Sequence, residues 1–394
     1  MNIKSFFSNP CNVYFSIWCL YLLQGTLYPS ASILSRLLVI IIIIISAKHA
    51  VEVGSSRKKP IYFVGLGLLV LMYFVYGTIY MVSKGQFLYL YLKNYMMSLL
   101  PIFSCFLYAK KGFLNKKMLQ RWVVFFVVVA IAEYYRLQRE MVEAMIINPD
   151  EDFTNNMGYV LLSLIPCMVV YDEKPWMQYI GLGICTFFVL MGMKRGAILI
   201  GVVALVMFIW YKMKNSKGIQ KLFVILIVAV SMFYLSYLVQ DLLENSDYFY
   251  ERVSQTKEGD TSNRDIIYKS LLNSYRHDSS TTQKLFGRGA NGTISLRGHY
   301  AHQDWLETLI NQGLLGVVFF MIYWYLFYKT SRNNRYSKQS RFVLFLIFVL
   351  FGLKTMFSMS IGDMTIYVSA ILGYSLADGF AKDDIRSNSN SILV

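Results

Sequence analysis

The sequence predicts an all-α polytopic membrane protein of about twelve transmembrane helices, and three observations predict it. The chain is 56% hydrophobic and only 15% charged, where a soluble globular chain carries about 25% charged residues. Apolar runs such as "RLLVIIIIIISA" and "VILIVAVSMFYL" approach or reach the length that crosses a bilayer. Lys and Arg collect in alternate connections between those runs.

Taken in order, the spans fall at 11–28, 33–47, 61–82, 86–108, 121–138, 155–171, 176–192, 196–211, 220–241, 312–328, 342–358 and 363–380. The first is not followed by a small-residue cleavage site and reads as a retained span rather than a removed signal peptide. Several are short for a hydrocarbon layer of about 30 Å, which predicts bent or broken spans. The five cysteines, at 11, 19, 105, 167 and 185, lie in or beside apolar runs without metal-like spacing. They read as small core residues. Three parts follow: 1–241 with helices 1–9, an outer segment 242–311 with amphipathic helices, and 312–394 with helices 10–12 and a cytoplasmic tail.

With both termini inside, the inner connections hold more than half of the 38 Lys and Arg residues, among them Lys48, Arg57, Lys58, Lys59, Lys110, Lys111, Lys116, Lys117, Lys212, Lys214, Arg332 and Arg335. The net charge of +15 is therefore mostly topogenic and calls for no nucleic acid. The outer connection 133–155 is mainly acidic, with Glu133, Glu140, Glu143, Asp150, Glu151 and Asp152 against Arg136 and Arg139.

One short outer connection runs against the bias. Lys194 and Arg195 stand side by side at the start of span eight. A helix start carries unpaired N–H groups and a partial positive charge, so it favours an anion and not a cation. Two readings follow: Arg195 anchors the span to lipid phosphates, or the site expects an anionic ligand, for which the guanidinium fork is suited. A second cation at a helix start is Arg264. "GDTSNRDIIYKSLLNSY" reads as an amphipathic helix on the outer membrane face, capped by Ser262 or Asn263, with Ile266, Ile267, Leu271, Leu272 and Tyr275 on its apolar side. "GRGANG" after it is a flexible glycine turn without the βαβ context of a dinucleotide loop. His299 and His302 then precede "QDWLETLINQGLLG", whose spacing is helical. His302 tops that helix. Its chemistry fits a general base, with a histidine of purely interfacial role as the alternative; His299, His302 and Asp304 are too few for a metal site. Arg36 and Lys93 lie inside apolar spans, where charge is costly. Arg36 snorkels outward, and Lys93 has Glu133 or a diphosphate as its candidate partner.

In these blocks the chain resembles the bacterial O-antigen polymerases (Wzy-type) and O-antigen ligases. "MKRGAIL" is similar to the family's Ser/Thr-Arg-Gly/Ala span start, with Lys194 where a small hydroxyl residue is common. "SNRDIIYKSLLNSY…LFGRGANG" resembles its arginine-led helix and Gly-x-Gly turn. "AHQDWLETLINQGLLG" resembles its histidine block, with Gln303 in the usual Asn place, and "FTNNMGYVLLSLIP" a further family segment. The resemblance covers roughly 153–330.

That resemblance implies a GT-C-type glycosyltransferase fold in the bacterial inner membrane, with a periplasmic active site and no metal or other cofactor. The donor is a glycan on undecaprenyl diphosphate. The acceptor is a lipid-linked repeat unit in polymerases, the favoured reading, or lipid A core in ligases. On this reading Arg195 and Arg264 stabilise the departing diphosphate, His302 deprotonates the attacking sugar hydroxyl, and the anomeric carbon inverts. Lys194, Arg288, Arg297, His299, Lys93 and Arg36 are candidate diphosphate or glycan contacts. Membrane lipids, a chain-length regulator and a flippase are the expected partners. The rivals are a twelve-span transporter, which predicts a repeat between halves that the sequence lacks, a mannosyltransferase-type enzyme, whose acidic pair "LYPSAS" lacks, and a structural subunit of an export complex.

Overall fold

The computed structural model describes residues 6–27, 32–80, 86–147, 156–192, 194–218 and 264–391, with isolated positions between 221 and 254. Every regular element among them is helical. In chain order these are α1 (Pro10–Leu27), α2 (Ile33–Ser55), α3 (Tyr62–Thr78), α4 (Gln86–Leu99), α5 (Pro101–Lys110), α6 (Lys116–Ile147), α7 (Met157–Leu162), α8 (Pro175–Met191), α9 (Arg195–Asn215), α10 (Arg264–Asn273), α11 (Thr281–Phe286), α12 (Gly292–Arg297), α13 (Asp304–Ser331), α14 (Lys338–Phe357) and α15 (Ile366–Ser391).

Among the described residues, six stretches are long and apolar enough to cross a membrane: Ile33–Ser55, Tyr89–Lys110, Lys116–Ala144, Arg195–Asn215, Asp304–Ser331 and Lys338–Phe357. Shorter apolar helices cover Tyr62–Thr78, Met157–Tyr171, Pro175–Met191 and Ile366–Phe380. The chain is accordingly a multi-pass membrane protein. The run at 220–241 lies outside the described residues apart from isolated positions. α2 is apolar all round and leaves Ile33, Leu37, Ile40 and Ile44 exposed, as a lipid-facing helix does.

Aromatic and small residues set the packing. α13 lies on α3, where Gly65 meets the Tyr323 backbone and the buried Tyr62 and Tyr323 hydroxyls are 3.2 Å apart. α15 lies on α5, where Gly373 faces the Phe106 and Cys105 backbone too closely for any side chain. Tyr211 of α9 stacks on Phe342 of α14 with centroids 4.0 Å apart. Cys11, Cys105, Cys167 and Cys185 are buried free thiols in this core, as expected, and Cys19 is partly buried.

One expected span is broken. α7 ends at Leu162, and Ile165–Tyr171 continues as a 3₁₀ helix through Pro166. Every residue of that 3₁₀ helix is buried. Its carbonyls are met by glutamines from three neighbouring helices: Gln178 to Met168 at 2.9 Å, Gln339 to Val169 at 2.8 Å and Gln120 to Val170 at 2.8 Å. Non-helical backbone is tolerated at membrane depth when protein satisfies it this way.

Two helices run beyond the expected spans. The acidic connection 133–155 is helical as far as Ile147, where its charges are spaced as i,i+4 pairs: Arg136–Glu140 at 2.8 Å and Arg139–Glu143 at 3.8 Å. The last residues of the expected outer segment 242–311 are helical, as the spacing of "QDWLETLINQGLLG" implies. α13 starts at Asp304 and passes through a kink at Gly313, whose φ of 68° and ψ of −164° leave the helical region.

The starts of α9, α13 and α15 and the end of α14 gather at one end of the bundle. The end of α2, the start of α3 and the end of α5 lie at the other, since Tyr62 meets Tyr323 and Phe327 late in α13, and Phe106 meets Phe380 late in α15. The polar residues singled out at 194–195 and 264–302 belong to the first end.

Candidate functional site

The site is assembled by one kink and one crossing. At Gly313 the helix loses its ladder, which frees the carbonyls of Ile310, Asn311 and Gln312. The amides of Arg288 and Gly289 take the first two at 2.8 and 2.9 Å, and the Tyr76 hydroxyl donates to Gln312 O at 3.2 Å and Phe286 O at 2.6 Å. The "GRGANG" stretch is thus a fixed clasp across α13 rather than a flexible turn. Ala290 N also donates to Tyr80 O at 3.1 Å.

Below the clasp, Glu307 is buried and fully engaged. Its carboxylate accepts from Thr293 Oγ1 at 2.5 Å, Asn311 Nδ2 at 2.8 Å and Ala301 N at 2.9 Å. These bonds pin α12 and the approach to His302 onto the first two turns of α13. Asp304, also buried, accepts from the amides of Ser360 at 2.6 Å and Ile361 at 3.2 Å. It is therefore turned towards the 358–363 turn. Among the described residues no group of three metal-ligating side chains forms.

α10, expected as an amphipathic helix, packs its apolar side against α13. Leu271 packs into a small core with Ala301, Leu306 and Ile310, and Ile267, Tyr268, Leu272 and Tyr275 pack against it. Only Ile266 of the expected apolar side points outward, 61% exposed. Helix α13 offers a closer apolar partner than lipid does. The expected caps Ser262 and Asn263 lie outside the described residues.

This docking aims Arg264 inward. Its Nη1 donates to the Phe357 carbonyl at the end of α14 at 2.5 Å, and Tyr268, one turn on, lies within its electrostatic reach. Phe357 is beside Gly196, the residue after Arg195, and the Tyr159 hydroxyl fills the space a side chain at Gly196 would need. The starts of α9 and α10 therefore meet at the end of α14. No side chain caps the start of α9.

His302 stands two residues before α13 with a left-handed φ of 55°. Partial burial, and then the positive charges of Arg264, His299 and Lys194, hold its imidazole pKa below the ordinary value of about 6.5. Arg264, His299 and Lys194 thus lie within electrostatic reach of His302, and Arg195 follows Lys194 in sequence. A neutral imidazole among cations is able to accept a proton while its neighbours hold an anion.

The other candidates separate. Arg288 spends its guanidinium on Asp278 O at 3.2 Å and Ser279 Oγ at 3.1 Å, holding the clasp. Arg297 is exposed at the last position of α12. Arg36 is exposed in the first turn of α2, consistent with outward snorkelling. Lys93 is half-buried in α4 and forms no ion pair with Glu133, whose charged neighbour is Arg136 on its own helix, one turn away.

Sequence reasoning passed over Lys354, Asp363 and Tyr159. Lys354 is buried near the end of α14, 3.2 Å from Asp363 Oδ2, with its ammonium 4.9 Å from the Tyr159 ring centroid. A lysine inside an apolar run was the available signal, the same one that drew attention to Lys93.

Fold and site define a polytopic membrane protein with a cationic, imidazole-bearing cluster at one end of its bundle. A family model, Wzy_C, described as O-antigen ligase, matches residues 180–321, a window that opens in α8, closes in α13 and contains Lys194, Arg195, Arg264, His299 and His302. The matched window, under half of the chain, is thus similar to a family described as O-antigen ligase. No curated protein and no solved structure matches the chain.

Proposed function

We propose that the protein is a surface-polysaccharide polymerase that transfers a glycan from undecaprenyl diphosphate onto a lipid-linked repeat unit at the periplasmic face of the inner membrane. What supports this reading is the family match over residues 180–321, a window that holds Lys194, Arg264 and His302, the first two within electrostatic reach of the third. The reading includes a GT-C-type fold of twelve spans, the ninth at 220–241, with both termini cytoplasmic and a long periplasmic segment, 242–311, between the ninth and tenth spans.

The largest chemical task is to stabilise the leaving diphosphate, and one well-placed donor is worth about 3–4 kcal/mol there. Arg195 and Arg264 take that role, with Lys194 beside them. His302 takes the proton from the acceptor hydroxyl, worth about 10²–10⁴ in rate. Attack at the anomeric carbon opposite the diphosphate inverts it. His299 and Arg297, exposed at the rim, contact the glycan, and Lys93 and Arg36 the carrier. A chain-length regulator and a flippase are its partners in the membrane.

A second reading, O-antigen ligase with lipid A core as acceptor, is favoured by the description of the matched family. Purified protein given undecaprenyl-diphosphate-linked repeat units, with and without lipid A core, separates the two. Longer lipid-linked product supports the polymerase; product only on lipid A core supports the ligase; unchanged substrate in both arms removes both. Arg195→Ala, Arg264→Ala and His302→Ala insert normally and lose the product, lipid-linked polymer on the first reading and glycosylated lipid A core on the second.

A further inference from the structure

We infer that Lys354 is the positioning residue of the candidate site, an internal cation that fixes the elements carrying Arg195, Arg264 and His302 relative to one another. This rests on the reading above. Lys354 is 5% exposed, one turn before the end of α14. A charge buried in an apolar span is costly and persists where it has a partner and a task. Its ammonium has three neighbours on three elements. Asp363 Oδ2 lies at 3.2 Å on the turn after α14. The Tyr159 ring of α7 lies under it, at 4.9 Å. Asp304, first residue of α13, is within its electrostatic reach.

Two of these neighbours, and the end of Lys354's own helix, each lead to one site residue. The Tyr159 hydroxyl abuts Gly196, next to Arg195. Asp304 is two residues from His302 and binds the Ser360 and Ile361 amides. Phe357, three residues after Lys354, gives its carbonyl to Arg264 at 2.5 Å. Trp305 Nε1 donating to Thr355 Oγ1 at 3.0 Å ties α13 to the same turn of α14. A neutral side chain at 354 leaves Asp363 and Asp304 without their shared cation. Asp363, already exposed, then turns to water, and the 357–363 segment shifts under Arg264. Lys354 itself lies behind these groups and touches no substrate.

The test uses full-length protein in proteoliposomes with undecaprenyl-diphosphate-linked repeat units. Lys354→Met keeps the wild-type melting profile and a KM within about 3-fold, while kcat falls by about 10², the loss expected of a misplacement near 1 Å. Lys354→Arg recovers about tenfold of that, and Lys354→Met combined with Asp363→Asn is no worse than Lys354→Met alone. A Lys354→Met kcat within about twofold of wild type overturns the inference, as does a Lys354→Arg protein as defective as Lys354→Met beside a fully active Asp363→Asn. If the wild type extends no lipid-linked glycan, it is the functional reading that fails. Hydrogen exchange then decides the positioning role: faster exchange in Lys354→Met confined to 264–273 and 357–363 supports it, and unchanged exchange there overturns it.

Discussion

Gly287 and Gly313 cross so closely that neither has room for a side chain. A Cβ on Gly313 would fall 2.5 Å from the Leu285 carbonyl oxygen and against the Gly287 amide, and one on Gly287 would strike the Asn311 carbonyl. Both also take a positive φ, 79° and 68°. The crossing lets the clasp reach the freed carbonyls of α13 and so sets where His302 stands.

Gly313→Ala and Gly287→Ala therefore lower stability through two additive causes, backbone strain of about 1–3 kcal/mol and displacement of the facing backbone. Thermal unfolding in detergent should show a clear drop for both. Gly298→Ala, at a φ of 77° but in open space, serves as control and loses only the strain component. Equal melting of all three variants would refute the packing argument.

Glu307 holds three donors and is 2% exposed. Glu307→Ala leaves Thr293, Ala301 N and Asn311 without an acceptor, at about 1–3 kcal/mol for each buried group left unmet. Glu307→Gln keeps the shape but turns one acceptor into a donor, so it falls between wild type and alanine. Limited proteolysis of the 287–303 segment is the measurement. Cleavage faster in the order wild type, glutamine, alanine is the expected result.

The membrane class, the helical runs and the cationic cluster were legible because they rest on local signals: apolar length, charge segregation and cations at helix starts. "MKRGAIL" gave Arg195 this way, and "SNRD" gave Arg264. What escaped depends on partners far along the chain. Nothing local says that Leu271 would bury against Leu306 and Ile310 rather than lipid, and an amphipathic face is the same in either case. Nor does sequence show that Arg288 would give its Nη2 to Asp278 O and Ser279 Oγ. Lys354 was hidden because its partners lie on α7, α13 and the turn after α14, so that only the assembled bundle explains a lysine in an apolar run. The kink at Gly313 is likewise invisible to periodicity, which continues unbroken on both sides.

The imidazole of His302 gives a pH prediction with a definite sign. Its pKa is depressed by partial burial and by Arg264, His299 and Lys194. The acid limb of kcat/KM should therefore lie below about 6.5. Lys194→Gln removes one of the opposing charges and moves that limb upward, towards the ordinary value. Stability follows the same linkage: a depressed folded-state pKa contributes stability above the unfolded value that is lost as pH falls through the folded one. Lys194→Gln narrows that window. A limb that stays in place, or moves down, in Lys194→Gln removes His302 as the titrating base.

Arg264→Lys separates charge from geometry. Arginine holds the Phe357 carbonyl with one N–H and keeps further donors of its planar fork in a fixed geometry. A lysine ammonium keeps the positive charge beside His302 but is a single point on a flexible stem, without that fixed geometry. The acid limb set by His302 should stay where it is in Arg264→Lys, because the charge remains, while kcat falls by about 10²–10³, the cost of one misplaced donor to a developing oxyanion. Arg264→Gln loses both charge and fork; its acid limb should rise and its turnover fall further. Measuring pH profile and turnover on the two variants side by side distinguishes an electrostatic role from a positioning one. Full activity in Arg264→Lys would show that the fork is unnecessary and that Arg264 acts as charge alone.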